Sequence, residues 1–308
     1  EPEYATSSRR WSRLCNYVAR QQERAGSLEP ALGLYRKSGD HPARERTARL
    51  LEKRGEFAEA LTLTEKILAS PWCEEERDAA GRIGPRVRRK LEGGKLPRRQ
   101  DNFERTDLCI QRADYPVELQ VAQHIAPQWA GVHYVENSLM KALFGLAFWE
   151  VIFAPVPGAF HNAYQSVPGD MYDSAFAERR RAMIDQRMID LGGVDLAEEL
   201  PAAWRRYQGY QCHWINWRGV DEALVTAASR VIPGAHLLAI WEHMLFDPRE
   251  NRRGFPDLIA LGEVSGDYSL IEVKGPGDAL QDSQKRWLRR FQAIGIPARV
   301  VWVSWRDE

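Results

Sequence analysis

The chain has 308 residues, 44% of them apolar and 28% charged, enough for a sizeable core and for two domains of roughly 150 residues each. No stretch approaches the run of about 18 apolar residues that a membrane span needs, and Glu1-Pro2-Glu3 is neither a start methionine nor a signal sequence, so the expectation is a water-soluble fragment of a longer protein with no membrane partner. Formal net charge is zero, yet residues 1 to 105 carry 23 Lys+Arg against 17 Asp+Glu, and 35 of the 43 basic residues are arginine, whose planar fork suits phosphate; a codon bias reads equally well.

The first ninety residues read as helical and repetitive. The segment "ARQQERAGSLEPALGL" from Ala19 aligns with "ARLLEKRGEFAEALTL" from Ala48 at an offset of 29 residues. Gly26 and Gly55 each end one helix, and a second helix begins near Leu28 or Phe57, so each unit is a helix pair of tetratricopeptide-like character. Residues 85 to 99, "PRVRRKLEGGKLPRR", hold seven basic residues against one acid, with Gly93-Gly94 and Pro97 as helix breakers. They mark a boundary, and read either as a solvated linker or as a segment laid along a phosphate backbone. The expected domains are therefore 1–100, helical repeat and basic linker, and 101–308.

Beyond the linker, "HYVENSLMKALFGLAFWEVIFAPVP" reads as a buried helix from near Glu136 or Asn137, and "DSAFAERRRAMIDQRMIDLG" as an amphipathic one. Arg179, Arg180 and Arg181 in the latter suggest a solvated face. Three more helices follow, around "DLAEELPAAWRRYQ", "DEALVTAASRVI" and "GAHLLAIWEHMLF". The last fifty residues switch to strand, turn, strand, helix, strand: "PDLIALG", "VSGD", "YSLIEVKG", "LQDSQKRWLRRFQAIG" and "ARVVWVSW". Mixed α/β is the resulting class. The four cysteines lie far apart without a CxxC pair, the seven histidines lack metal-ligand spacing, and nucleotide-binding loops and Ser-His-Asp signatures are absent. Neither a disulfide framework nor a nucleotide cofactor is expected, and a reducing compartment fits.

Chemistry concentrates in "GFPDLIALGEVSGDYSLIEVKGPG", residues 254 to 277. Asp257 opens one strand and Glu272-Val273-Lys274 closes the next, although a buried sheet normally excludes ionisable groups. By alternation Glu272 and Lys274 share a face while Val273 points into the core. Two carboxylates and the free Val273 carbonyl are hard oxygen ligands suited to one or two Mg2+ or Mn2+ ions, with Lys274 placed to orient an attacking water or stabilise developing charge. In the helix that follows, Trp287 and Phe291 read as core, whereas Gln284, in the first turn, could reach the site. A surface salt-bridged hairpin is the plainer alternative.

Pro256-Asp257, fourteen intervening residues and Glu272-Val273-Lys274 resemble the PD-(D/E)XK nuclease superfamily. The turn "GPGD" and the Gln284-to-Trp287 helix narrow the resemblance to its VRR-NUC branch, and "VPGAFHNAYQSVPGDMYDSAFAERRRAMIDQRM" is similar to the Fanconi-associated nuclease family, in which a helical-repeat domain precedes VRR-NUC. The resemblance implies a mixed sheet flanked by helices in 101–308, with helical insertions. A SAP-type module carried upstream in the family is missing, which would explain the abrupt start. The resemblance also implies a further active-site glutamate at Glu136, holding the divalent ions together with Asp257, Glu272 and the Val273 carbonyl, otherwise read as stabilising a helix dipole. It places Asp185 where the family usually has glutamate, acting at the metal or through water. Arg249, Arg252 and Arg253 would bind nucleic acid, Arg249 best matching the basic pocket that receives a 5′ phosphate; the alternative is a flexible basic loop.

The resulting expectation is a metal-dependent, structure-specific nuclease, a 5′ flap endonuclease and 5′-3′ exonuclease cutting near the 5′ end of flap or branched DNA, in interstrand crosslink repair. Its location would be cytoplasm and nucleoid if bacterial, nuclear if eukaryotic. The competing readings are a junction resolvase or restriction-type endonuclease with the same chemistry, and a non-catalytic repeat scaffold.

Overall fold

A computed structural model describes residues 5–93 and 101–306, which fall into two compact units divided between Gln100 and Asp101. The first is all helical: α1 (Ala5–Arg24), α2 (Leu28–Tyr35), α3 (Ala43–Arg54), α4 (Phe57–Ala69) and α5 (Glu74–Glu92). The 29-residue repeat has a direct physical meaning here. Gly26 and Gly55 both sit at φ 81°, and the following amides, Ser27 and Glu56, bond back to Gln22 and Leu51, so both copies close the first helix with the same left-handed glycine cap. Ala19, Ala48, Ala31 and Ala60 are fully buried, because small residues let the paired helices approach. Glu23 and Glu52, equivalent in the repeat, each reach the first helix of the next unit: Glu23 accepts from Arg46 Nε at 3.1 Å, and Glu52 from Arg86 Nε at 2.6 Å and Lys90 Nζ at 3.1 Å. Arg86, foremost, holds the Glu52 carboxyl down at about 2.

Helix α5 thus stands in for a third repeat that the sequence does not announce. It also passes through Pro85, so the basic stretch begins as helix surface. The rest of the boundary segment, residues 94–100, lies outside the described residues.

The second unit is built on a five-stranded sheet: β1 (Glu104–Ile110), β2 (Gly131–Tyr134), β3 (Leu258–Leu261), β4 (Tyr268–Lys274) and β5 (Ala298–Trp305), in the order β1-β5-β4-β3-β2. Strands β1, β5 and β4 are mutually parallel and β4, β3 and β2 antiparallel. One face carries α6 (Val117–Ile125), whose Val121 and Ile125 share a core with Ile271, Val273 and Val301 of the sheet. The other is covered by α14 (Asp282–Ile294) and by a helical insertion between β2 and β3: α7 (Ser138–Ala147), α8 (Trp149–Ile152), α9 (Ala175–Arg179), α10 (Arg181–Gly193), α11 (Leu196–Tyr207), α12 (Glu222–Val231) and α13 (Gly234–Phe246). The expected class, a mixed sheet flanked by helices behind an all-helical region, is the one found. Edge strands β1 and β2 were not among the expected elements; β1 is mostly exposed and β2 has four residues, so neither has a clear apolar pattern.

No single helix among the described residues is long and apolar enough to cross a membrane. Of the triple arginine, Arg179 and Arg181 are exposed as expected, but Arg180 is not. Arg180 is 1% exposed, donating to Asp170 at 3.0 Å and to the Val151 carbonyl at 3.1 Å, and Arg179 shares Asp170 at 2.8 Å.

Candidate active site

Strand β4 is buried along its whole length, but its neighbours change along it. Antiparallel pairing with β3 ends at Leu258 and Ile271, while parallel pairing with β5 continues through Lys274. One step beyond the β3 ladder Asp257 comes opposite Glu272, and the free edge of β4 is taken by a side chain: Val273 N donates to Asp257 Oδ2 at 2.9 Å. In a strand the N–H and C=O of one residue point the same way, so the Val273 carbonyl opens toward Asp257 too.

Burial sets the electrostatics. Glu272 is 1% exposed and its carboxyl is pushed up to about 8, first by burial and then by the charge of Asp257, against the pull of Lys274. Its Oε1 is shared by Lys274 Nζ at 2.8 Å and Gln284 Nε2 at 2.6 Å, while its buried Oε2 has no hydrogen-bond partner. Asp257 is likewise raised by burial, opposed by Val273 N–H and Lys274 and reinforced by Glu118 and Glu136. Two crowded carboxylates, one with an oxygen left unsatisfied, form a site that lacks positive charge. Hard oxygens and an orphaned acceptor fit a divalent cation. No group of three or more His, Cys, Asp or Glu side chains closes on one point among the described residues, so the protein ligands to such an ion would be few.

The surroundings explain why these groups meet. Gln284 is held by a capping box at the start of α14, where its Oε1 accepts from Gln281 N at 2.9 Å and leaves Nε2 for Glu272. One turn on, fully buried Trp287 donates to the Arg253 carbonyl at 3.1 Å and packs on Phe255 with ring centroids 4.1 Å apart. Gly254 lets the same segment pass: at φ 86°, a Cβ there would lie 2.5 Å from the Ser283 carbonyl carbon. The Asp257 carbonyl in turn accepts from Val135 N at 2.8 Å and Glu136 N at 2.9 Å. That double bond clamps the turn between β2 and α7 and holds Glu136 at φ 39°, a left-handed conformation costly for a side-chain-bearing residue and found mostly where function over-determines it. Glu136 lies two residues ahead of α7 rather than inside its first turn, exposed, with Tyr134 Oη and Asn137 Nδ2 donating to it at 3.2 Å each.

The other expected residues separate. Asp185 lies exposed on α10, 3.9 Å from Arg181, and is not among the principal charges acting on Asp257 or Glu272. It is a surface residue whose neighbour is an arginine one helical turn away. Glu118, in the first turn of α6, does act on Asp257 and was not expected; it stands in a stretch whose helix the sequence did not signal clearly. Of the arginines, Arg253 is paired with Glu250 at 2.6 Å, Arg249 donates to the Tyr172 carbonyl at 3.1 Å, and Arg252 stacks 4.4 Å over the Tyr172 ring. Arg286 and Arg290 face Glu250 and Glu242, and Arg289 forms a two-pronged pair with Asp101 at 2.7 Å, so that helix face is largely neutralised.

The VRR-NUC domain family matches residues 194–305, a segment that contains Asp257, Glu272, Val273, Lys274 and Gln284 but neither Glu118 nor Glu136. Among curated relatives, the Fanconi-associated nuclease 1 homolog of Pseudomonas aeruginosa is 36% identical over 293 residues, covering 93% of this chain and 52% of the relative. Fanconi-associated nuclease 1 of Danio rerio is 34% identical over 179 residues, 56% of this chain and 18% of that protein. Among solved structures, paFAN1 bound to 2-nucleotide 5′ flap DNA with gap superposes with a TM-score of 0.80 at 35% identity, over 100% of this chain and 57% of that one. The chain spans about half the length of the Pseudomonas relative. Shared fold and this level of identity make the chain similar to the Fanconi-associated nucleases along most of its length, and residues 194–305 carry a VRR-NUC domain.

Proposed function

We propose that the protein is a metal-dependent DNA nuclease that recognises DNA by structure, cuts near the 5′ end of flaps or branches, and serves interstrand crosslink repair wherever the cell keeps its chromosomal DNA. The observation that carries the reading is the pair Asp257 and Glu272 at the lapse in β3 pairing, with Glu272 Oε2 buried and unpartnered beside Lys274. Asp257, Glu272, the Val273 carbonyl and Glu136 would hold one or two divalent ions, Mg2+ or Mn2+, with Glu118 adding its charge to the site. When bound, such an ion polarises a phosphoryl oxygen and acidifies a water.

The chain's own groups do the rest. Glu272 would serve as the ionised carboxylate when holding a cation, and Lys274 Nζ, already 2.8 Å from it, is placed to orient the attacking water and to stabilise charge on the phosphorus centre. Gln284 keeps Glu272 aimed by holding its other lone pair. Relatives solved with 5′ flap DNA support a flap substrate for this chain. The test is cleavage of a labelled 5′ flap, a single strand and a four-way junction with Mg2+, Mn2+ or EDTA, by wild type and Asp257→Ala. Metal-dependent flap cutting lost in Asp257→Ala is the expected result; cutting of the junction alone would favour a resolvase, and DNA binding without cutting a scaffold.

A further inference from the structure

Away from the carboxylates, the helical insertion between β2 and β3 forms a cleft of about 610 Å3, within the roughly 300–1,000 Å3 that small-molecule sites occupy. Its floor is aromatic. Trp149 of α8 lies 4.7 Å from Phe153 between ring centroids, and Phe153 stacks on Phe160 at 5.9 Å. Tyr207 covers one face of Trp149, parallel to within 8° at 4.2 Å, so the indole is fixed. Two rims rise from separate segments: the loop after α8 brings Tyr164, and the turn after α11 brings Tyr210, 82% and 64% exposed. Rings that line a cleft instead of closing over the core leave apolar surface in water, and a ligand that covers them recovers its hydration cost.

No charged residue lines the cleft among the described residues, which sets it apart from a phosphate site. Its polar groups are amides. Gln165 holds the loop itself, its Nε2 donating to the Ala159 and Val167 carbonyls at 3.3 Å each, and Asn162 Oδ1 accepts from Tyr164 N at 2.9 Å. Asn162 Nδ2 and the Gln211 carboxamide make no hydrogen bond with the described residues, so donors and an acceptor remain at the rim. Aromatic faces with amides at their edges match a nucleobase, whose faces stack and whose edges hydrogen-bond. The cleft is also tied to the catalytic hairpin. His213, just past Gln211, donates its N–H to the Ser166 carbonyl at 3.0 Å, and its Nε2 lies 2.9 Å from Arg252 Nη1 in the loop that leads into Asp257.

We propose that this cleft takes an unpaired nucleobase of the single-stranded 5′ flap, stacked against Tyr164 and Tyr210, and so holds the flap by a base rather than by a phosphate. The identity of the strand rests on the nuclease reading above. The experiment uses the full chain in an Asp257→Ala background and three duplexes: one with a natural 5′ flap, one whose flap is abasic on the same phosphate backbone, and one with no flap. Affinity is measured against salt with the cleft native and with Tyr164→Ala, Tyr210→Ala, Tyr164→Phe or Tyr210→Phe. A 2-aminopurine in the natural flap reports stacking through its quenched emission, and metal-dependent cutting by the otherwise native chain is followed alongside.

Each alanine variant should bind the natural flap about tenfold more weakly, with the 2-aminopurine emission raised and the salt slope unchanged, because no phosphate contact is lost. The phenylalanine variants should keep affinity, and thermal unfolding should stay unchanged because both rings are exposed. The abasic flap should bind the native cleft about tenfold more weakly than the natural one, and alanine should then cost nothing further. Equal affinity of the native cleft for natural and abasic flaps would overturn the proposal. So would alanine losses of equal size on all three duplexes, which would assign the tyrosines to the duplex, or a reduced salt slope, which would assign them to a phosphate. Alanine variants without effect on any DNA would also overturn it and leave the cleft to a protein partner. Discrimination between natural and abasic flaps without metal-dependent cutting would defeat the nuclease reading alone, and cutting without that discrimination would defeat the cleft alone.

Discussion

Replacing Glu272 by glutamine changes the protein's response to pH in a way that follows from burial alone. The folded-state pKa of Glu272 lies at about 8, against an ordinary 4.5. Between those values the metal-free folded protein binds a proton that the unfolded chain has released, so its stability is fully present below about pH 4.5 and is lost as pH rises toward 8. At about 1.4 kcal/mol per pKa unit the loss reaches at most about 5 kcal/mol, an upper bound because the repulsion is shared with Asp257 and titrates with it. The glutamine side chain in Glu272→Gln has no charge to desolvate and still presents an oxygen to Gln284 and Lys274. Denaturant unfolding in EDTA at pH 5, 6.5 and 8 reads the difference directly. The two proteins should be similar at pH 5, and Glu272→Gln the more stable by a few kcal/mol at pH 8. Saturating Mg2+ or Mn2+ should erase the wild-type decline at the high-pH end, since a cation supplies the missing charge, and leave the variant unchanged. Parallel pH profiles in EDTA would show that Glu272 is not the desolvated acid described, and would remove the main argument for a cation at that position.

Glu136 separates activity from stability: Glu136→Gly and Glu136→Ala should both lose cleavage, while the glycine variant, free of the cost of φ 39°, unfolds at a stability about 1 kcal/mol above the alanine variant. Gly254→Ala should destabilise by more than about 1 kcal/mol in thermal unfolding, because the new Cβ meets the backbone of Ser283 rather than a side chain that can swing away. Gln284→Ala should cost about 1 kcal/mol of stability through the lost capping box and slow cleavage roughly tenfold through the lost bond to Glu272; equal rates at saturating metal would confine Gln284 to a structural part.

Local signals served well where the physics is local. The 29-residue repeat, its two glycine caps, the β3–β4 hairpin and the helix carrying Gln284 were legible because each rests on residues adjacent in the chain: a left-handed glycine, a period of two, a capping pair. The juxtaposition of Asp257 with Glu272 was legible for the same reason, since one hairpin carries both. The edge strands were not, because β1 and β2 owe their state to partners in β5 and β3 and have little apolar pattern of their own. Arginines 179 to 181 show the same limit: charge is written in the sequence, but Arg180 is buried because Asp170 and the Val151 carbonyl are there to receive it.

For the site, composition and spacing determined which groups are chemically able to act, namely two carboxylates, a carbonyl and an ammonium on one strand pair. Tertiary structure alone decided how charged they are and what joins them. Burial raises Glu272, the Asp257 carbonyl bends Glu136 into place, and α6 brings in Glu118, while Asp185 stays on an exposed helix beside Arg181. The reason is that residue type and short-range spacing are properties of the chain, whereas desolvation and through-space charge depend on which distant segments the fold packs around a group.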